Sequence, residues 1–257
     1  MVDKKMFTIH CSTTSFFLVY LSFETGTFPA SLKVAKVTPI FKKGDPSSKS
    51  NYRPISILPV FSKIFEKLFL NQVSNFFNKN NLLSEYQFGF KSGKSTIDAV
   101  VSLVESVLKN LEATQSVFLD LSKAFDCVDH KILLQKLNYS GVRGHPESWL
   151  KSYLTGRTQF VEVGNKISSP KLMSYGVPQG SILSLFLFLA YVNKIGSTLK
   201  YGEIVQYADD TTLCFSSNSM ENLEVQTFID LNTCVQAFND INLKTNPLKS
   251  TYINFSL

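Results

Sequence analysis

The chain has 257 residues, of which 44% are hydrophobic and 13% aromatic, the aromatics mostly Phe. That much apolar material supports one large or two small packed domains and excludes a disordered chain. A formal net charge of +6 suits a polyanionic partner but does not establish one, because many basic proteins bind no nucleic acid.

Residues 8–25 read as an amphipathic helix ending near Gly26. Lys4-Lys5 ahead of the run Phe16 to Leu21 faintly resembles a secretory signal, but polar residues 10–15 interrupt it and no small-x-small cleavage site follows. Residues 33–41 alternate like a strand and lead into a basic, turn-rich loop, Lys42-Lys43-Gly44-Asp45-Pro46. From Val60 to Asn78, the residues Val60, Ile64, Phe65, Leu68, Phe69, Val73, Phe76 and Phe77 recur at helical spacing and predict an inward face. Thr96 to Leu111 predicts a second helix with Ile97, Val100, Val101, Val104, Val107 and Leu108 inside.

The pattern then changes. Residues 116–121 form a short β-rich run that ends on Asp120, and residues 131–137 and 148–154 look helical. Residues 160–173 predict a hairpin turning at Gly164-Asn165. Residues 181–195 form an apolar, buried helix, and its Ile182 to Val192 run is far short of the roughly 20 residues a membrane span needs. Residues 203–215 read as two strands joined at Ala208-Asp209-Asp210, and residues 218–238 as a last amphipathic helix. The order strand, helix, hairpin, helix predicts an α+β domain of split-βαβ type behind a mainly helical one. Cys11, Cys127, Cys214 and Cys234 form no CxxC pair and have no His at ligand spacing. Reduced thiols of an intracellular protein are expected, rather than a zinc site or a disulfide framework.

Asp120 closes an apolar run, where a carboxylate is costly without a partner. Asp209-Asp210 is a carboxylate pair between the apolar flanks Val205, Tyr207 and Leu213, Phe215. Neighbouring strand residues point to opposite faces, so only one of the pair should share a face with Asp120. Crowded carboxylates repel unless a cation neutralises them, and a hard divalent ion such as Mg²⁺ is the natural choice. Two such ions would suit phosphoryl displacement. A plain hairpin-tip Asp pair with an unrelated loop Asp remains open on these residues alone.

Longer motifs carry a resemblance. Phe118-Leu119-Asp120-Leu121-Ser122-Lys123-Ala124-Phe125-Asp126 resembles motif A of reverse transcriptases from non-LTR (LINE-type, jockey-like) retrotransposons. Gly176-Val177-Pro178-Gln179-Gly180-Ser181 is similar to their motif B, Tyr207-Ala208-Asp209-Asp210 to the YxDD box of motif C, and Asn246 to Ser250 to motif D. Ile40 to Pro46, Asn51 to Ser56, and Gln87-Phe88-Gly89-Phe90 with Ser95-Thr96 resemble finger motifs.

The resemblance implies a right-hand polymerase: an N-terminal helical segment over 1–27, fingers over 28–110, and an antiparallel palm over 111–257, with no thumb expected. It implies RNA-directed DNA synthesis with an RNA template, a DNA primer and dNTPs, using Mg²⁺ or Mn²⁺. Asp120, Asp209 and Asp210, with the Leu121 carbonyl, would hold metal. Lys249 would protonate the leaving pyrophosphate. Lys42 or Lys43, together with Arg53, would grip the triphosphate. Phe125 would be the steric gate against a 2′-OH. Gln179 and Gly180 would meet the incoming nucleotide. Intracellular, nuclear work is expected of an intact element.

Two rivals stand beside this reading. Gly89 to Thr96 tempts as a phosphate-binding loop, but the spacing Gly-x-x-x-Gly-Lys-Ser is one residue short. A truncated remnant that binds nucleic acid without turnover is the non-enzymatic alternative. It is favoured by Ser184-Leu185 where Gly-Pro is usual, Asn193-Lys194 where Asn-Asp is usual, Phe238 where Trp is common, Pro247 inside motif D, and the end at Leu257.

Overall fold

The computed structural model describes residues 13–109 and 113–255. Residues 8–12 and 110–112, which close or flank two of the expected helices, lie outside the described residues, as does Cys11.

One sheet has five strands. Strand β1 (Val34–Phe41) pairs antiparallel with β2 (Tyr52–Ile57), placing Ile40 opposite Arg53. Its other edge pairs in parallel with β4 (Thr158–Val163), which in turn carries β5 (Lys166–Ile167) and β6 (Lys171–Leu172). The β4–β5 turn falls on Gly164, whose φ of +58° suits a tight hairpin.

The other sheet has four antiparallel strands in the order β7-β8-β3-β9. They are β3 (Thr114–Leu119), β7 (Glu203–Tyr207), β8 (Asp210–Ser216) and β9 (Thr251–Phe255). Strands β3 and β7 run parallel with β8 between them, which is the split-βαβ arrangement expected.

Seven helices surround the sheets among the described residues: α1 (Thr13–Glu24), α2 (Val60–Lys79), α3 (Thr96–Leu108), α4 (His130–Tyr139), α5 (His145–Leu154), α6 (Ile182–Val192) and α7 (Met220–Asn239). Helix α6 is apolar all round and is buried against α2 and α4. Trp149 of α5 stacks on Phe69 of α2 at 4.5 Å and on Tyr153 at 5.7 Å, joining the finger-side helices to the main core. Among the described residues, no helix is long and apolar enough to cross a membrane.

Two expected helix faces are corrected, and two further features of the sheets were not anticipated. Strands β2 and β9 have no clean alternation in sequence, because their residues are mostly exposed on both faces of sheet edges. Helix α3 is rotated from the expected phase: it buries Ala99 and Ser106 against the β7 and β8 side and leaves Ile97, Val100, Val101, Val104 and Leu108 exposed. Small residues let the helix approach the sheet closely, so packing distance decides the face rather than apolar spacing. In α2, Val60 and Phe76 are exposed while Ser62 and Glu66 are buried, because Ser62 donates to Glu66, which also accepts from Ile182 N–H at the start of α6. The two sheets also interleave along the chain. Helix α3 packs on the four-stranded sheet, and β4 to β6 join the five-stranded one.

Candidate active site

The chemistry collects at one end of the four-stranded sheet. The pairing Leu119↔Thr211, continued by one step, sets Asp120 beside Asp210. Asp120 is thereby on the face of Phe118, and Asp210 on that of Thr212. Asp209 occupies the two-residue turn between Tyr207 and Asp210. Primed hairpin turns need a positive φ at the first central residue, and Ala208 supplies it at +58°.

The carboxylates feel one another. Burial first, then Asp209 and Asp120, push the Asp210 carboxyl above its usual range, and Lys42 opposes that shift. Lys42, exposed on the loop after β1, lies within electrostatic reach of Asp210, and Lys43 and Arg53 are exposed as well. Arg53 sits on β2 across from Ile40.

Motif D is wired to Asp120. The Asp120 carbonyl accepts from the Asn246 N–H at 2.7 Å, its own N–H donates to Ser250 Oγ at 3.2 Å, and its carboxylate pairs with Lys249 at 3.4 Å. The side chain expected to be the general acid is thus beside the expected metal ligand. Leu121 forms a bridge with Thr245 in which the flanking bonds are Ser122 N–H to Lys244 O and Asn246 N–H to Asp120 O. In that geometry the Leu121 carbonyl points away from Thr245.

These groups fit a divalent cation by chemistry: oxygen donors, like-charged, partly desolvated, with flanking cations. Among the described residues, however, no three carboxylate, His or Cys side chains converge closely enough to hold a metal ion in this conformation. The set Asp120, Asp209, Asp210 is gathered within electrostatic reach, with Asp120 turned to Lys249.

The loop before α6 is held tightly. Gly176 N–H donates to Val128 O, Val177 N–H to Phe125 O, and Gln179 Nε2 to Asp126 Oδ1 at 3.0 Å. His130 Nε2 bonds to Gly176 O at 2.7 Å. A Cβ on Gly180 would lie 2.4 Å from the Ser56 carbonyl, and Ser56 N–H donates to Gln179 O. Only glycine fits there, because its φ of +124° and that close approach both exclude a side chain. Phe125 stacks on buried Phe188 with centroids 4.5 Å apart, so the expected gate residue also packs.

Two functional supports escaped the sequence reading. Glu66 is fully buried in α2. It accepts from Ser62 Oγ, Ser181 Oγ and Ile182 N–H, and so caps α6 directly behind the loop. Its signal was the polar pair Ser62 and Glu66 at i, i+4 inside an apolar helix. Gln87 was read only as finger sequence, yet its side chain meets Ala208 in the carboxylate turn.

The rival phosphate loop is not built. Ser95 and Asp98 form a reciprocal capping box that already occupies the α3 N-terminus, and a Cβ on Gly89 would lie 2.3 Å from Ala208 N. Of the divergent positions, Asn193 bonds to the Leu82 carbonyl and the Ser84 N–H, Phe238 is fully buried, and Ser184 is buried in an intact α6 with its Oγ unbonded, while Lys194 and Pro247 are exposed. Cys127, Cys214 and Cys234 are free.

Comparison with known proteins agrees with this geometry. A family model described as "Reverse transcriptase (RNA-dependent DNA polymerase)" matches residues 40–255. The chain is 36% identical over 74% of its length to the probable RNA-directed DNA polymerase from transposon BS of Drosophila melanogaster, of which it covers 22%. It is 33% identical over 77% of its length to the RNA-directed DNA polymerase from mobile element jockey of the same fly, covering 23% of that protein. It thus spans less than a quarter of the length of these curated relatives. Apo telomerase from Candida tropicalis, truncated from its C-terminal domain, shares the fold at TM-score 0.65 and 13% identity over 95% of this chain and 55% of that one. By its matched residues, its relatives and the carboxylate end of its split-βαβ sheet, the chain belongs to the reverse transcriptase family.

Proposed function

We propose that this chain is the fingers and palm of an RNA-directed DNA polymerase of a non-LTR retrotransposon. The four-stranded sheet would serve as palm and the five-stranded sheet as fingers. The observation that carries the reading is the meeting of Asp120 with Asp209-Asp210 at one sheet end, flanked by Lys42 and Lys249.

Reverse transcriptases work with divalent metal ions. Here Asp120, Asp209 and Asp210, with the Leu121 carbonyl, would hold Mg²⁺, and Mn²⁺ would substitute. Bound there, such ions supply charge stabilisation for the attacking and leaving oxygens of an in-line displacement. The chain's own groups do the rest. Lys42 and Arg53 hold the triphosphate of an incoming dNTP from the finger side. Gln179 and the bare backbone at Gly180 let the nucleotide lie close to the loop before α6. Phe125 fills the space a 2′-OH would need. The primer 3′-OH attacks the α-phosphorus and gives up its proton to water, the bond from the α-phosphorus to the bridging oxygen breaks, and Lys249 donates a proton to the departing pyrophosphate. The template is RNA and the primer DNA, and the work belongs in the nucleus as part of a longer element protein.

The test is primer extension on poly(rA)/oligo(dT) with Mg²⁺ or Mn²⁺, run beside Asp209→Asn. Extension that the variant lacks supports the polymerase reading. A folded chain that binds template-primer yet extends nothing under either ion overturns it in favour of a binding remnant.

A further inference from the structure

The turn that carries Asp209 and Asp210 is built on an unfavourable residue. Ala208 takes a left-handed conformation, φ +58°, where glycine would sit without strain. The Tyr207↔Asp210 pairing that closes the turn asks for a positive φ at this position, and a residue with a side chain is strained in meeting it, so added support from elsewhere in the fold matters.

It comes from residues 86–89, which lie alongside β7. Phe88 N–H donates to Gln206 O at 2.8 Å, and Gln206 N–H donates to Tyr86 O at 2.9 Å, extending the sheet by a parallel bridge. From this position the Gln87 side chain, 3% exposed, reaches the turn. Its Oε1 accepts from Ala208 N–H at 3.0 Å and from Gly89 N–H at 2.9 Å, and its Nε2 donates toward Ala208 O at 3.5 Å. One carboxamide therefore grips both polar groups of the strained residue. Gly89 lies so close that a Cβ would meet Ala208 N at 2.3 Å and Tyr207 C at 2.9 Å. Phe88, Ala99, Val205 and Tyr207 form a small apolar cluster that keeps this segment on β7.

The chemistry singles out an amide. Two N–H donors and one carbonyl acceptor need a side chain that both accepts and donates. A carboxylate would accept only, and would add a fourth negative charge beside three. An apolar side chain would fill the space and hold nothing.

We propose that Gln87 is the positioning residue of the metal turn: its amide locks Ala208 in the left-handed conformation that orients Asp209 and Asp210 toward Asp120. This rests on the polymerase reading for what the carboxylates bind, but the lock itself does not.

Three versions of the 257-residue chain test it: wild type, Gln87→Met, and Gln87→Met with Ala208→Gly. The first readout is amide hydrogen exchange without added metal. Gln87→Met should speed exchange at Ala208 by about 10-fold or more while α6 and β3 amides stay protected. Unchanged exchange at Ala208 overturns the lock whatever the site binds. The second readout is Mn²⁺ binding by calorimetry, which should weaken by about 10-fold in Gln87→Met. Glycine at 208 adopts positive φ unaided, so the double variant should recover most of that affinity. A loss that glycine does not recover means Gln87 only packs the core, and the proposal falls. If wild type binds no Mn²⁺ that Asp209→Asn abolishes, the polymerase reading fails, and the exchange experiment still decides the lock.

Discussion

Two regions of this molecule carry carboxylates near the active face, and they are built in opposite ways. Glu66 is fully buried, and donors meet it from Ser62, Ser181 and the Ile182 backbone. A single buried charge satisfied in that way is scaffolding: it ties α2 to the start of α6 and fixes the loop ahead of it. Asp120, Asp209 and Asp210 sit partly open at a sheet end and crowd one another, with an exposed lysine as the nearest counter-charge. Repulsion there is relieved by binding a cation. The difference lies in how each carboxylate is met: Glu66 by internal hydrogen bonds, the three aspartates by one another and by exposed lysines, which on the proposed reading would leave them open to a cation.

The contrast breaks most sharply at Asp120. Asp120→Asn should cut primer extension by on the order of 10³-fold or more. The Lys249 pair it disrupts is largely exposed, so stability should change by no more than about 1 kcal/mol. Primer extension and urea unfolding on the same preparation check both halves.

Glu66→Ala should behave in reverse. It leaves the hydroxyls of Ser62 and Ser181 and the Ile182 N–H short of a buried acceptor, costing about 3 kcal/mol in urea unfolding. Any loss of extension should then track the unfolded fraction. An active-site-sized rate loss in a stable Glu66→Ala chain would erase the distinction between the two regions.

A smaller effect is expected at Phe125. Its ring stacks on Phe188, and its carbonyl accepts from the Val177 N–H in the loop before α6. Phe125→Ala should raise incorporation of rNTPs relative to dNTPs by on the order of 10-fold. An unchanged ratio would reduce Phe125 to packing.

The last effect is on stability alone and concerns Lys136, which donates to Tyr191 O at 2.5 Å between α4 and α6. Burial pushes its ammonium down to about 8 from its ordinary value of 10.5. A lysine whose folded value lies below its unfolded one binds fewer protons when folded, so stability should rise as pH climbs through that window. Lys136→Met should flatten this rise, by on the order of 1–3 kcal/mol between about pH 8 and about pH 10.5, read from urea midpoints.

Much of the site was legible because its residues are close in sequence or set in distinctive neighbourhoods. Asp209-Asp210 stood out between apolar flanks, and Asp120 at the end of an apolar run. Both belong to the end of the split-βαβ sheet where they were expected. The motifs of the finger loop, the loop before α6 and the segment at Asn246 to Ser250 were readable for the same reason. The phase of α3 was not, since five apolar residues at helical spacing normally mark the inside. What overrode the pattern was close packing of Ala99 and Ser106 against the sheet.

By itself the sequence determined which residues carry charge into apolar surroundings, where the chain must turn, and which segments are helical or extended. Those follow from local preferences and side-chain periodicity. Only the tertiary structure decided that β4 joins the finger-side sheet, that Glu66 reaches Ser181 across 115 positions, and that Gln87 meets Ala208 across 121. Contacts of that kind depend on how elements already formed are brought side by side. Local sequence does not encode which distant donor will find a given acceptor.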